Sequence, residues 1–261
     1  MPHWSIYGAG LVGSLLGAAG GASGACTRSG RAAHAEVRLP SGELRTWSPE
    51  VGQSGPLLIA SRCHQTPWHE LPPGPLLAAQ NGLGQPIPVL VCFMAVDRDA
   101  RGVIQVQGPP PRLVVGPVDS QWQPVMARWR SAGFAVEEVS DPAPAQWEKT
   151  ILNATVGPLC LALHRTMAEV WAEPELRALV LAATRDGAAI AAAAGIAVPS
   201  GLAERAADFF ARIGGHQPSI CRDPGELPWI FNPLLSAARR HGLDVPALAR
   251  IESLCHSVVA S

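Results

Sequence analysis

Hydrophobic positions change rhythm part-way along the chain. Up to Val139 they come in short runs, and those at Trp4–Tyr7, Ala25–Thr27, Leu57–Ala60, Leu76–Ala79, Val89–Met94, Gly102–Gln107, Leu113–Gly116 and Ala135–Val139 predict strands. Leu57–Ala60 and Leu76–Ala79 are apolar throughout and bounded by Pro and Gly, as buried parallel strands are. Glu36–Leu39 and Glu43–Trp47 flank Ser41-Gly42 and predict a polar hairpin, while Leu11–Ala22 and Gln121–Ala132 predict helices. From Ala145 onward the apolar residues recur every three or four positions. That spacing predicts helices over Ala145–Leu163, Pro174–Ala194, Gly201–Ile213, Glu226–His241 and Pro246–Val259, with Gly195, Gly214-Gly215 and Gly242 as stops. Asp141-Pro142-Ala143-Pro144 breaks the two textures apart. The expectation is an α/β domain over residues 1–141 and an all-helical domain over 142–261.

Composition fits two ordinary domains: 261 residues, 48% hydrophobic and 16% charged. A net charge of -1 and a pI near 6.7 give no field to gather nucleic acid or anionic lipid. No apolar stretch reaches the roughly 20 residues that span a bilayer, so no membrane partner is expected either. Ser5-Ile6-Tyr7 runs straight into glycines, unlike the start of an export signal. The six cysteines, Cys26, Cys63, Cys92, Cys160, Cys221 and Cys255, are scattered without a CxxC pair or a His cluster. They read as buried, reduced thiols of a cytoplasmic protein that needs no metal.

The first chemical signal is Gly8-Ala9-Gly10-Leu11-Val12-Gly13, a GxGxxG run between a predicted strand and a predicted helix. In that setting the glycines permit a tight turn and close approach of a pyrophosphate to the helix N-terminus, the signature of a Rossmann dinucleotide site. NAD-binding members carry an acidic residue after the second strand to hold the ribose 2′-hydroxyl. Here that stretch is Thr27-Arg28-Ser29-Gly30-Arg31, whose bases pair with a 2′-phosphate, so NADP is the expected cofactor. Arg62 and Gln80-Asn81-Gly82 follow the next two strand-like runs, at the carboxyl ends where open α/β sheets bind ligands.

In the helical half, Lys149 and Asn153 share one helix face. Lys149 is the chain's single lysine among 20 Lys and Arg, an arginine bias typical of GC-rich genomes. Unlike Arg, a lysine can give up its proton near neutral pH. Gly157-Pro158 follows one turn later and predicts a bend. Pro218-Ser219-Ile220-Cys221-Arg222-Asp223 and Gly225-Glu226 then set a hydroxyl and two carboxylates ahead of another helix, where Ser219 and Asp223 also suit plain turn and capping roles.

Taken in order, these pieces resemble the ketopantoate reductase (2-dehydropantoate 2-reductase) family. The resemblance rests on GxGxxG, Arg28, Arg62, Asn81-Gly82, the W-x-K-x-x-x-N helix (Trp147, Lys149, Asn153), S-x-x-x-D (Ser219, Asp223), Glu226 and the phrase His241-Gly242-Leu243-Asp244-Val245-Pro246. It implies a Rossmann domain joined to a helical domain of the 6-phosphogluconate-dehydrogenase type. Lys149 would be the general acid, with Glu226 tuning its ammonium. Asn81, Asn153 and Ser219 would position substrate and nicotinamide, and Gly8, Gly10, Leu11, Val12, Gly13, Arg28, Arg62 and Asn81 would hold NADP. The implied partner is a small oxoacid, by default 2-dehydropantoate; a homodimer is compatible with a helical domain of this type. Three departures bear on the substrate: Gly157 stands where the family commonly has a second Asn, Gly225 where Thr is common, and Pro228, Trp229 and Phe231 follow Glu226. An NADP-dependent oxidoreductase of another hydroxy, oxo or imino acid, and a non-catalytic NADP-binding sensor or interaction protein, stay open at this stage.

Overall fold

The structure is a computed structural model that describes residues 3–26, 33–52, 55–212 and 215–259, with side chains as far as Cys255 at the C-terminal end. It divides into two compact units, Met1–Gln80 with Gln85–Pro142, and Asn81–Gly84 with Ala143–Ser261.

In the first unit β1 (Ser5–Tyr7), α1 (Leu11–Gly20) and β2 (Gly24–Cys26) open the chain, followed by the hairpin β3 (Ala35–Arg38) and β4 (Leu44–Trp47). Next come β5 (Glu50–Val51), β6 (Leu57–Ile59) and β7 (Leu76–Ala78). The sheet is parallel, in the order β5-β2-β1-β6-β7. Its inner strands are short and apolar because both faces are covered; Leu57, Leu58 and Ile59 of β6 are all buried. A second sheet holds β8 (Leu90–Arg98), β9 (Ile104–Val115) and β10 (Ala135–Glu138) together with the hairpin, in the order β10-β9-β3-β4 with β8 on β9; α2 (Gln123–Ser131) precedes β10.

The strands expected at Gly102–Gln107 and Leu113–Gly116 are one strand, β9. Pairing with β8 steps from Phe93↔Arg112 to Ala95↔Gln107, so Gly108-Pro109-Pro110-Pro111 forms an irregularity opposite Met94. Prolines cannot donate to the ladder, and a bulge is where a strand tolerates them.

The core of this unit is built around the small residues of α1. Trp4, Trp122 and Trp129 are fully buried and meet edge-on or stacked, with ring centroids 5.9 to 6.4 Å apart. Their approach requires glycine: a Cβ on Gly20 would lie 2.5 Å from Trp4 and 2.8 Å from Trp129. Two of the three indole N–H groups also bond to the helix. Trp129 donates to Leu16 O (3.0 Å) and Trp4 to the last helical carbonyl, Gly20 O (3.1 Å), while Trp47 donates to Ala22 O just beyond the helix (3.1 Å).

The second unit contains α3 (Ala143–Asn153), α4 (Val156–Leu163), α5 (Met167–Ala172), α6 (Pro174–Ala193), α7 (Leu202–Arg212), α8 (Leu227–Arg240) and α9 (Pro246–Val259). The single helix expected over Ala145–Leu163 is two, parted at Ala154-Thr155, where Thr155 has φ -108 and ψ -90. Pro158 is the cause: it has no N–H for the Ala154 carbonyl four residues back, and its ring crowds that oxygen. The sequence reading did not anticipate α5, a six-residue helix held by a Thr166/Glu169 capping box. It ends at Glu173, which is extended ahead of Pro174. The alanine-rich α6 is the hub of this unit, packed against α3, α7 and α9. Gly187 admits Ile151 of α3 at a distance a Cβ would close to 2.6 Å, and the Asp186 carboxylate accepts from the Ala247 and Leu248 N–H groups that open α9. Among the described residues no helix is long and apolar enough to cross a membrane.

Candidate active site

Each glycine of the β1–α1 turn has its own physical reason. Gly8 has φ +96 and its backbone lies against Ser61, so a side chain there is excluded twice over. A Cβ on Gly13 would run into the Gly8 carbonyl and lie 3.2 Å from Ala60, so this glycine seats helix on strand. Gly10 is different: nothing of the protein lies within 4 Å of where its Cβ would be. It is also the N-cap of α1 without a side-chain capping bond, and no acidic residue stands in the first turn. A close-packed turn that leaves its middle glycine open, before a helix start with no acid, has the geometry to hold an anion.

Arg62 follows β6 and caps the short turn Cys63–Gln65. Its loop is tied down by the buried Gln80, whose amide donates to Ser61 O (2.6 Å) and Thr66 Oγ1 (2.7 Å), while Thr66 Oγ1 donates to Arg62 O (2.9 Å). The sequence reading singled out Arg62 but not the Gln80 and Thr66 that fix its backbone. Arg28 and Arg31, the expected readers of the 2′-phosphate, lie outside the described residues.

The remaining candidates gather in the helical unit. Asn81–Gly84, although it follows β7 directly in the chain, belongs to this unit. Asn153 Nδ2 donates to Asn81 Oδ1 (3.2 Å), and Gln146 Nε2 donates to Gly82 O (3.1 Å). Gly82 has φ +89, and its backbone lies against the Trp229 carbonyl of α8 where a Cβ would not fit. Gln146, Lys149 and Asn153 lie three and four residues apart on α3, so one helix face carries the lysine between the two amides that hold this turn. Lys149 is half-buried, and its neighbour Glu148 is buried with its carboxylate 2.9 Å from Arg205 of α7. That ion pair ties the lysine's helix to a second one.

Ser219 and Glu226 form the second pair: the Ser219 hydroxyl donates to Glu226 Oε2 (3.3 Å), and Glu226 is buried at the start of α8. A carboxylate there meets the positive end of the helix. Asp223 takes the capping role, accepting from Gly225 N (3.1 Å). The cysteines are free thiols: Cys63, Cys92, Cys160 and Cys255 are buried, while Cys26 and Cys221 are half-buried.

Residues 142–259 match the family described as ketopantoate reductase PanE/ApbA C terminal, the whole of the helical stretch that carries Lys149, Asn153, Ser219 and Glu226. That match covers the helical half of the chain. The 2-dehydropantoate 2-reductase of Halobacterium salinarum is 27% identical over 145 residues, covering 53% of this chain and 48% of that protein; the match thus spans about half of the relative's length. The fold is that of the 2-dehydropantoate 2-reductase of Methylococcus capsulatus, with a TM-score of 0.79 at 22% identity, covering 98% of this chain and 96% of that one. D-mandelate dehydrogenase, solved as a ternary structure with NADH and anilino(oxo)acetate, shares the fold at a TM-score of 0.77 and 16% identity, over 97% of this chain and 98% of that one.

Proposed function

We propose that this protein is an NADPH-dependent reductase of a 2-oxoacid, with 2-dehydropantoate to pantoate as the default reaction. The observation that carries the reading is the α3 face on which the chain's only lysine stands between two amides that grip the Asn81-Gly82 turn. The open position at Gly10 fits the close backbone approach of a dinucleotide pyrophosphate, and Arg62 adds a cation on the same unit. Arg28 and the lack of an acid after β2 favour the 2′-phosphate of NADP. Bound NADPH supplies the hydride.

The chain's residues supply the rest. Asn81 and Asn153 orient the oxoacid by its polar end, and their mutual hydrogen bond holds both amides in place before substrate arrives. As the carbonyl carbon takes the hydride, negative charge grows on its oxygen. The Lys149 ammonium stabilises that charge and gives up a proton to it, leaving the alcohol. Glu226, fixed by Ser219, is the carboxylate that would face that ammonium.

The test is oxidation of NADPH by the purified protein with a panel of 2-oxoacids, compared with NADH. Lys149→Ala should lower kcat by about 10²–10⁴-fold, the usual range for a lost general acid, with cofactor binding unchanged when followed by NADPH fluorescence. Full turnover in Lys149→Ala would defeat the catalytic assignment. Tight NADPH binding with no carbonyl reduced would instead favour a cofactor sensor.

A further inference from the structure

We infer that Gln146 is a positioning residue for the reduction: it holds the backbone of the Asn81-Gly82 turn, and through that turn it aims the Asn81 amide at the oxoacid. This deepens the reductase reading and rests on it. The turn has little to hold it from within. Gly82 and Gly84 both have φ +89, a region glycine enters as readily as its mirror image, and nothing of the protein lies within 4 Å of where a Cβ on Gly84 would be. A turn with two such joints keeps one conformation only where groups outside it hold it.

The helical unit, to which Asn81–Gly84 belongs, supplies those groups, and they divide the work. Asn153 Nδ2 donates to the Asn81 side chain at Oδ1 (3.2 Å), whereas Gln146 Nε2 donates to the main chain at Gly82 O (3.1 Å). Gln146 is a firm base for this bond because its own helix is tied down. Thr150 Oγ1 donates to the Gln146 carbonyl (2.8 Å), and the buried Glu148 carboxylate lies 2.9 Å from Arg205 of α7. Lys149 stands three residues further along the same face, so the bond to Gly82 O also sets the Asn81 amide relative to the proposed acid, which must meet the same substrate.

The test is a double-mutant cycle on the full chain, with NADPH and whichever 2-oxoacid is reduced fastest. Gln146→Met keeps the length of the side chain and removes its N–H donor. In the parent background it should lower kcat/KM for the oxoacid roughly 3–10-fold, the scale of one net hydrogen bond. In an Asn81→Ala background it should change kcat/KM by less than about twofold, because the amide it aims is gone. If Asn81→Ala is too slow to assay, the same cycle is read in the dissociation constant of the oxoacid from the NADP-loaded protein. If Gln146→Met does not fold, Gln146→Ser, too short to reach Gly82, must show the same dependence on Asn81. A role in stability alone costs the same factor in both backgrounds. That equal fall, or an unchanged kcat/KM in Gln146→Met, would overturn the positioning role and leave the reductase reading intact. No turnover of any oxoacid by the parent protein would overturn both.

Discussion

Gly10 and Gly13 stand one helical turn apart and answer to different constraints, which makes them a controlled pair. At Gly13 a methyl group meets the Gly8 carbonyl, so Gly13→Ala must shift helix against strand and should lower the melting temperature by several degrees, an overpacking cost of about 1–3 kcal/mol. At Gly10 the same methyl meets open space within the protein, so Gly10→Ala should melt like the parent. It should nevertheless raise the KM for NADPH about tenfold or more, because the methyl would stand where the proposed site takes the pyrophosphate. Equal melting temperatures for both variants, or an unchanged KM in Gly10→Ala, would contradict the cradle. These glycines were legible in the sequence because the motif states a backbone requirement. Gln146 was not, since its task is to hold a carbonyl 64 residues away, and no spacing rule links a helix amide to a loop so distant in the chain.

At the scale of elements, the sequence showed where helices and strands exist better than where they stop. The buried runs Leu57–Ile59 and Leu76–Ala78 appeared where their apolar content put them, as did the hairpin at Ser41-Gly42. The failures share a cause: proline's effect depends on its partners. Pro109-Pro110-Pro111 lies between the two strands expected at Gly102–Gln107 and Leu113–Gly116 and is a bulge within one, because β8 continues opposite it. Pro158 was read with Gly157 as the site of a bend. The break lies a turn earlier, at the carbonyl the proline cannot serve. That break ends α3 at Asn153, so it bears on the amide's aim. Pro158→Ala restores the missing N–H and should let helix propagate through Ala154-Thr155. The expected outcome is a small gain in helicity by circular dichroism, no loss of stability, and a fall in kcat/KM of about tenfold as Asn153 turns away from Asn81, as even small misplacements of positioning groups cost rate. Unchanged kcat/KM alongside the added helicity would show that the break has no part in the site.

The whole molecule has an unusual titration profile above neutral pH, and that profile locates its weakest condition. Of 20 Lys and Arg side chains only Lys149 is a lysine, and Tyr7 is the only tyrosine. The remaining cations are guanidinium groups, which keep their protons throughout the alkaline range. Cysteines therefore dominate between pH 9 and 12, and burial pushes Cys160 and Cys255 from 9.0 up to about 12. Both lie in the helical unit, on α4 and α9, which pack together, and the Cys255 thiol donates to Pro158 O (3.4 Å). The folded state holds these two protons where the unfolded chain releases them. Stability from this source is complete below the unfolded value and declines as pH rises through 9 toward 12, by about 1.4 kcal/mol per pH unit for each thiol at the steepest. Melting temperature should accordingly hold steady to about pH 8.5 and then fall by several degrees per unit. Cys160→Ala and Cys255→Ala should each flatten the alkaline slope by about half while lowering the neutral melting temperature through the small space they leave. A melting temperature level between about pH 9 and 11, or a slope unmoved by both substitutions, would place the alkaline limit elsewhere, with the less buried Cys26 and Cys221 next in line.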